Sequence, residues 1–230
     1  MISFKKFPSS ADNAQALAQA VAENLCDILT QQERATLAVS GGKSPIAFFQ
    51  ALNQIDLDWS RVNITLVDER VVPTQHADSN TSLVRQYLIK NQLSQAKWLP
   101  LISDDADEDE LKNISQAVEF ALQNYTQPDV LVLGMGGDGH TASIFPKAPQ
   151  FTDAICVNYP QPLLHTTPVT APYERISMTL TAIVHTPYVY LAIAGADKLA
   201  IYQQAEQGEN PNFPISYVLN KVHTNVFYND

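Results

Sequence analysis

The chain has 230 residues, 45% of them hydrophobic and 17% charged, with a formal net charge of −10. That length fits one large domain or at most two small ones, and the composition supports a substantial core rather than a disordered chain. The acidic balance argues against a nucleic-acid binder, which needs cations to neutralise phosphates, although a small anion needs only a local cluster of donors.

The amino-terminal stretch MISFKKFPSSADNAQ has neither the apolar core nor the small-residue cleavage site of a signal peptide. Over residues 10–32, Ala14, Leu17, Ala18, Val21, Leu25, Ile28 and Leu29 recur with a helical period. A short apolar strand at 36–40 then runs into SGGKSP. Gly41 and Gly42 make a turn, Ser44 stands where a helix N-cap belongs, and Pro45 suits the first helical position. Such a turn aims backbone N–H groups at one spot where an anion can sit, and Lys43 could add a cation. An ordinary tight strand-to-helix turn would read the same way, and the Gly-x4-Gly-Lys spacing of a phosphate loop is absent.

A second strand at 62–69 ends in Asp68, Glu69 and Arg70. Alternate residues of a strand share a face, so Asp68 and Arg70 point one way, where the arginine offers a planar fork for phosphate or carboxylate. Read alone, three charges in a row could simply mark the chain reaching solvent. Asp78 or Ser79 suits the cap of the next helix. The acidic run DDADEDE at 104–110 lacks the glycine an EF-hand requires. It opens a helical pattern over 107–124, through Leu111, Ile114, Val118, Ala121 and Leu122, and reads as a solvated helix start.

A third strand, 128–136, leads into LGMGGDGHTASIFP, where Gly134, Gly136, Gly137 and Gly139 supply four of the chain's 8 glycines. His140 follows, with Asp138 two residues before it. A carboxylate bonded to one ring nitrogen would fix the tautomer and leave the other nitrogen as a base. The N–H groups of the 136–139 loop are candidates for stabilising an oxyanion, since glycines leave room for close approach. The Gly-x-Gly-x-x-Gly match lacks the acidic residue about 20 positions on that a dinucleotide site carries. A lone histidine is more often structural, but a glycine frame at a strand's carboxyl end favours a functional one. His76, His165, His185 and His223 have no such frame, and no two histidines have metal-site spacing. Segment 146–174, with six of the 14 prolines, reads as a long irregular connection holding one short strand at 154–158. A fourth strand occupies 188–195.

Strands that alternate with helices and are apolar through most of their length predict a doubly wound, largely parallel, Rossmann-like α/β sheet with helices on both faces, in one domain over 1–230. Ligands in such sheets bind at the strands' carboxyl ends, and three of those ends carry SGGKSP, DERVVP and GGDGHTAS. No apolar run approaches the ~18 residues of a membrane span. Cys26 and Cys156 cannot build a disulfide framework or a zinc motif, so the chain reads as soluble and cytoplasmic. No serine lies in a Gly-x-Ser-x-Gly elbow, which leaves water activated by His140 as the simpler nucleophile.

These motifs resemble the short bacterial form of the 6-phosphogluconolactonase family, over nearly the full chain. LAVSGGKSP resembles that family's first glycine loop, VDERVVP with DSN its second block, and LGMGGDGHTASIFP its signature. ERISMTLTAI and AGADKLAIY resemble two later blocks. The resemblance implies a fold shared with glucosamine-6-phosphate deaminase and ribose-5-phosphate isomerase. It implies hydrolysis of the δ-lactone of 6-phosphogluconate in the oxidative pentose phosphate pathway, with no metal or organic cofactor and no nucleic-acid or membrane partner. His140 would be the catalytic base and Asp138 its partner. Substrate contacts would come from Ser40, Gly41, Gly42, Lys43, Asp68, Arg70, Gly136, Gly137, Gly139, Arg175 and Lys198. Two departures stand out: TTPVTAPYER lacks a lysine that the family often carries there, and Lys43 replaces a small polar residue. Lys43 could supply the missing charge from another direction. A deaminase of the same fold would carry an Asn-Glu-Pro stretch after the glycine–histidine step, where this chain has TASIFP. A non-catalytic sugar-phosphate sensor would lose the base and often add a DNA-binding segment, for which there is no spare length or basic patch.

Overall fold

A computed structural model describes all of residues 1–230. In chain order the elements are β1 (Ile2–Phe7), α1 (Ser10–Leu29), β2 (Ala35–Val39), α2 (Ile46–Leu52), β3 (Val62–Leu66), β4 (Asp68–Arg70), α3 (Asn80–Tyr87), β5 (Lys97–Trp98) and α4 (Ile114–Asn124). Then follow β6 (Val130–Gly134), α5 (Phe151–Ala154), β7 (Leu163–Thr166), β8 (Arg175–Met178), α6 (Leu180–Val184), β9 (Tyr188–Ala194), α7 (Ala196–Ala205), α8 (Ile215–Lys221) and β10 (Thr224–Asn229). Seven strands form one parallel sheet in the order β1-β10-β9-β6-β2-β3-β5. Every residue of β2 and β3 is buried, as expected of parallel strands covered on both faces. No helix is long and apolar enough to cross a membrane.

Helix α1 follows from its sequence. Ser9 caps it by accepting from the Asp12 N–H at 3.1 Å, and Leu17, Val21, Leu25 and Ile28 carry the buried stripe onto the sheet. The helix stops at Leu29, three residues short of the expected end. Ser44 does not cap α2: the cap position is Pro45, no side chain bonds there, and the helix begins at Ile46. The 107–124 pattern splits. Asp107 accepts from the N–H groups of Asp109 and Glu110 to start a single 3₁₀ turn, and α4 begins only at Ile114, capped by Asn113. No strand forms at 154–158, where α5 ends in a turn; the strand of that segment is β7, which pairs antiparallel with β8. With β4 these make a second, three-stranded sheet that the sequence pattern did not signal.

Strand β4 depends on one carboxylate. Glu69 is fully buried, and four donors converge on it: the N–H groups of Arg70 (2.7 Å), Asn80 (2.8 Å) and Thr81 (2.7 Å), and the Ser79 hydroxyl (3.1 Å). Two of these N–H groups open α3 and would otherwise have no partner. Burial raises the Glu69 pKa above its ordinary value, and the backbone donors oppose the rise. Because Glu69 faces inward, Asp68 and Arg70 on either side of it face the opposite way. Glu69→Gln would set an amide NH₂ against N–H donors, leaving at least one of them unpaired in the core. The expected loss is about 3 kcal/mol, a fall in Tm on the order of 5–10 °C, measurable by thermal unfolding. An unchanged Tm would show that the four contacts do not hold α3 to β4.

Candidate functional site

The carboxyl ends of β10, β9, β6 and β2, together with β4, enclose a cleft of about 350 Å³. From the end of β9 to that of β3 is three strand spacings, about 14 Å. The loop after β6 lies inside this span and carries His140.

His140 is held from two sides. Its Nδ1 lies 2.5 Å from Asp138 Oδ1, and its ring packs on Phe145 with centroids 4.4 Å apart. Burial pushes the Asp138 carboxyl up, but its hydrogen bond to His140 and the His140 charge bring it below its ordinary value. The loop itself is a tight hairpin: Gly136 N–H donates to the His140 carbonyl at 2.9 Å and Gly139 N–H to the Gly136 carbonyl at 3.1 Å. A Cβ on Gly136 would lie 2.2 Å from the imidazole, so the ring folds back over a residue that must lack a side chain. Both glycine amides are therefore already engaged, which removes them as free oxyanion donors.

At the β2 end, Ser40 Oγ accepts from the Gly134 N–H at 3.0 Å and ties the two loops together. Gly42 has φ +83°, a left-handed backbone that glycine adopts readily. A Cβ on Gly41 would meet Asn80 Oδ1 at 2.0 Å, while Asn80 Nδ2 donates to the Asp68 carbonyl at 2.9 Å. The N–H groups of Gly41, Gly42, Lys43 and Ser44 donate to no backbone carbonyl. Asp68 accepts from Ser143 Oγ at 2.5 Å, and Arg70 donates to the Asp78 carbonyl. Lys198, in the first turn of α7, faces the cleft half-buried, and burial lowers its pKa.

The structure thus brings Ser40, Gly41, Gly42, Asp68, Arg70, Gly136, His140 and Lys198 to one cleft. Four expected contacts lie elsewhere. Lys43 and Gly137 are exposed and do not line the cleft, and Gly139 backs onto Phe213, whose Cα would lie 2.9 Å from an added Cβ. Arg175, the antiparallel partner of Arg70, is buried and does not line the cleft, its guanidinium 6.0 Å over Phe145; burial lowers its pKa, with Asp68 opposing and Arg70 reinforcing. Sequence reasoning missed Asn80, Ala142, Asn13 and Asn229 as cleft residues. The last two meet through an Asn13 Nδ2 to Asn229 Oδ1 bond of 2.8 Å, across 216 positions that no local pattern links. His165 pairs instead with Glu174, and no three His, Cys, Asp or Glu side chains gather where they could hold a metal ion.

A parallel α/β sheet with a ligand-sized cleft at its strand carboxyl ends defines a doubly wound protein built around a small-molecule site. The model of the glucosamine-6-phosphate isomerase/6-phosphogluconolactonase family matches residues 8–228, and the chain belongs to that family. It is 57% identical over 230 residues, 99% of each chain, to a 6-phosphogluconolactonase of Neisseria meningitidis serogroup B. A 6-phosphogluconolactonase of Helicobacter pylori is 36% identical over 226 residues, 97% of this chain and 96% of that one. The crystal structure of a putative 6-phosphogluconolactonase from Neisseria gonorrhoeae superposes with a TM-score of 0.97 at 57% identity, covering all of both chains.

Proposed function

We propose that this chain hydrolyses 6-phospho-D-glucono-1,5-lactone to 6-phosphogluconate, the lactone-opening step of the oxidative pentose phosphate pathway. The observation that carries the reading is His140, paired with Asp138, in a cleft that Arg70 and Lys198 also line. Full-length likeness to proteins named for that activity supports it. The TASIFP segment contributes Ala142 to the cleft and no carboxylate, which favours a lactonase over a deaminase. Exposed, unpaired Cys26 and Cys156 fit a soluble enzyme in the reducing cytoplasm.

In this mechanism the Asp138 carboxylate accepts a hydrogen bond from the Nδ1–H of neutral His140, so Nε2 is the base. Nε2 removes a proton from water as the water oxygen bonds to the lactone C1, and the carbonyl electron pair moves onto its oxygen. When that pair returns, the bond from C1 to the ring oxygen breaks and the ring oxygen takes the proton from Nε2. One lactone and one water become one hydroxy acid, and His140 returns to its starting state. The phosphate lies against the free N–H groups of Gly41 and Gly42 with Arg70, donors whose charge and geometry suit it.

His140→Ala should lower kcat by roughly 10²-fold or more, and Asp138→Asn by less, with spontaneous lactone opening subtracted from each rate. Near-wild-type turnover of the alanine variant would reject His140 as the base. Arg70→Ala should reduce kcat/KM for the phosphorylated lactone by roughly 10- to 100-fold, the scale of one charge-assisted contact, and far less for unphosphorylated gluconolactone. Equal losses on both substrates would show that Arg70 does not read the phosphate.

A further inference from the structure

With the amides of Gly136 and Gly139 engaged, and Gly137 and Asp138 outside the cleft lining, the oxyanion formed at C1 needs a donor beyond the 136–139 loop. Three residues of segment 136–144 line the cleft: Gly136, His140 and Ala142. The His140 N–H donates to Asp138 Oδ1 at 3.2 Å, and the Gly136 N–H to the His140 carbonyl. The Ala142 N–H donates to no carbonyl. Its neighbours beyond are engaged as well, Ser143 N–H with Ser177 Oγ at 3.0 Å and Ile144 N–H with the Thr141 carbonyl at 2.9 Å.

That last bond closes a four-residue turn in which Ala142 is the first central residue, at φ +47°. Turns with positive φ at that position ordinarily place glycine there. Here an alanine is held in it by bonds on every side. Thr141 Oγ1 donates to the Gly134 carbonyl at 2.8 Å, Ser143 Oγ to Asp68 at 2.5 Å, and Thr166 Oγ1 to the Ser143 carbonyl at 2.9 Å. A residue forced into a left-handed backbone, pinned by four outside contacts and two positions from the base, leaves one amide unused at the cleft wall. Strain of this kind gathers where a backbone group has been aimed.

We propose that the backbone N–H of Ala142 is the oxyanion donor of the lactone hydrolysis, receiving the negative charge that develops on the C1 oxygen while His140 takes the proton of the attacking water. The inference rests on the lactonase reading and adds a catalytic group to it. The donor is a main-chain group whose position is set by Asp68, Ser143, Ser177 and Thr166, so it needs no reorganisation as charge forms.

The test replaces Ala142 with lactic acid by nonsense suppression in the full-length protein, an Ala142→lactate exchange that turns the amide into an ester and deletes only the N–H. Expected is a fall in kcat of roughly 10²-fold with KM changed less than about threefold, the pattern of a contact made in the transition state alone. A glycolate ester at Gly137, an exposed residue that does not line the cleft, should leave kcat unchanged. A wild-type kcat in the 142 ester, or equal losses from both esters, would overturn the assignment. Should the ester at 142 prevent folding, Ser177→Ala decides instead. It removes the acceptor that holds the Ser143 N–H and with it the neighbouring Ala142 amide, so kcat should fall by roughly tenfold with KM changed less than about threefold. An unchanged kcat in a folded Ser177→Ala variant would overturn the inference. Absence of turnover in the wild-type protein would defeat the lactonase reading and this inference together, whereas an active wild type with an equally active ester defeats the inference alone.

Discussion

The carboxylate of Glu69 sits where the second sheet meets helix α3, and the cleft is arranged around it. It gathers the unpaired N–H groups that open α3, so the helix starts where Asn80 can reach both the Asp68 carbonyl and the space left by the missing side chain of Gly41. With Glu69 turned inward, strand alternation alone presents Asp68 and Arg70 to the cleft. Asp68 then accepts from Ser143, which fixes the segment after His140. One buried acid thus links the loop after β2, the β4 strand and the histidine loop, although its own side chain never lines the cleft. A buried carboxylate is tolerated there only because every donor it meets is otherwise without a partner.

The central strands were legible because a parallel strand covered on both faces must be largely apolar, and β2, β6 and β9 are, with β3 interrupted only by buried Asn63 and Thr65. The edges were less so. β1 has only partly buried and exposed positions, with Lys5 and Lys6 on an outer strand, and β5 is two residues long. The second sheet escaped notice because its strands are three or four residues each, too short for a period to declare itself. The start of α4 was misjudged because carboxylates in the acidic run close a 3₁₀ turn rather than enter the helix.

Ser40, Asp68, Arg70, His140 and Lys198, all singled out in the sequence, line one cleft, whereas Lys43 and Arg175 do not, and the glycines were singled out for an incomplete reason. Several glycines in one loop suggest a backbone approached by a ligand. Gly136 is there because the imidazole folds over it, and Gly139 because Phe213 packs against it. Neither demand shows in sequence, since His140 is four residues from Gly136 and Phe213 is seventy-four from Gly139. Ala142 illustrates the converse. Nothing in its residue type marks a left-handed backbone, and only tertiary bonds from Ser177, Asp68 and Thr166 hold it there.

The parallel pairing of β1 with β10 joins the two ends of the chain: Ile2 lies opposite Thr224 and Phe7 opposite Asn229. Chains emerge from the ribosome amino end first, and domains generally fold as units during synthesis. Strand β1 precedes every other element of the fold and its partner strand β10 follows every other, so it waits unpaired while the rest of the sheet is made. The lysines at its centre suit that interval, because charge on an open strand edge discourages pairing with other chains. Asn229 joins the cleft wall at the same late moment, through its bond to Asn13. A nascent chain therefore holds its histidine loop and the Gly41 and Gly42 amides well before it has a closed cleft, and the wall is completed only once β10 has been made.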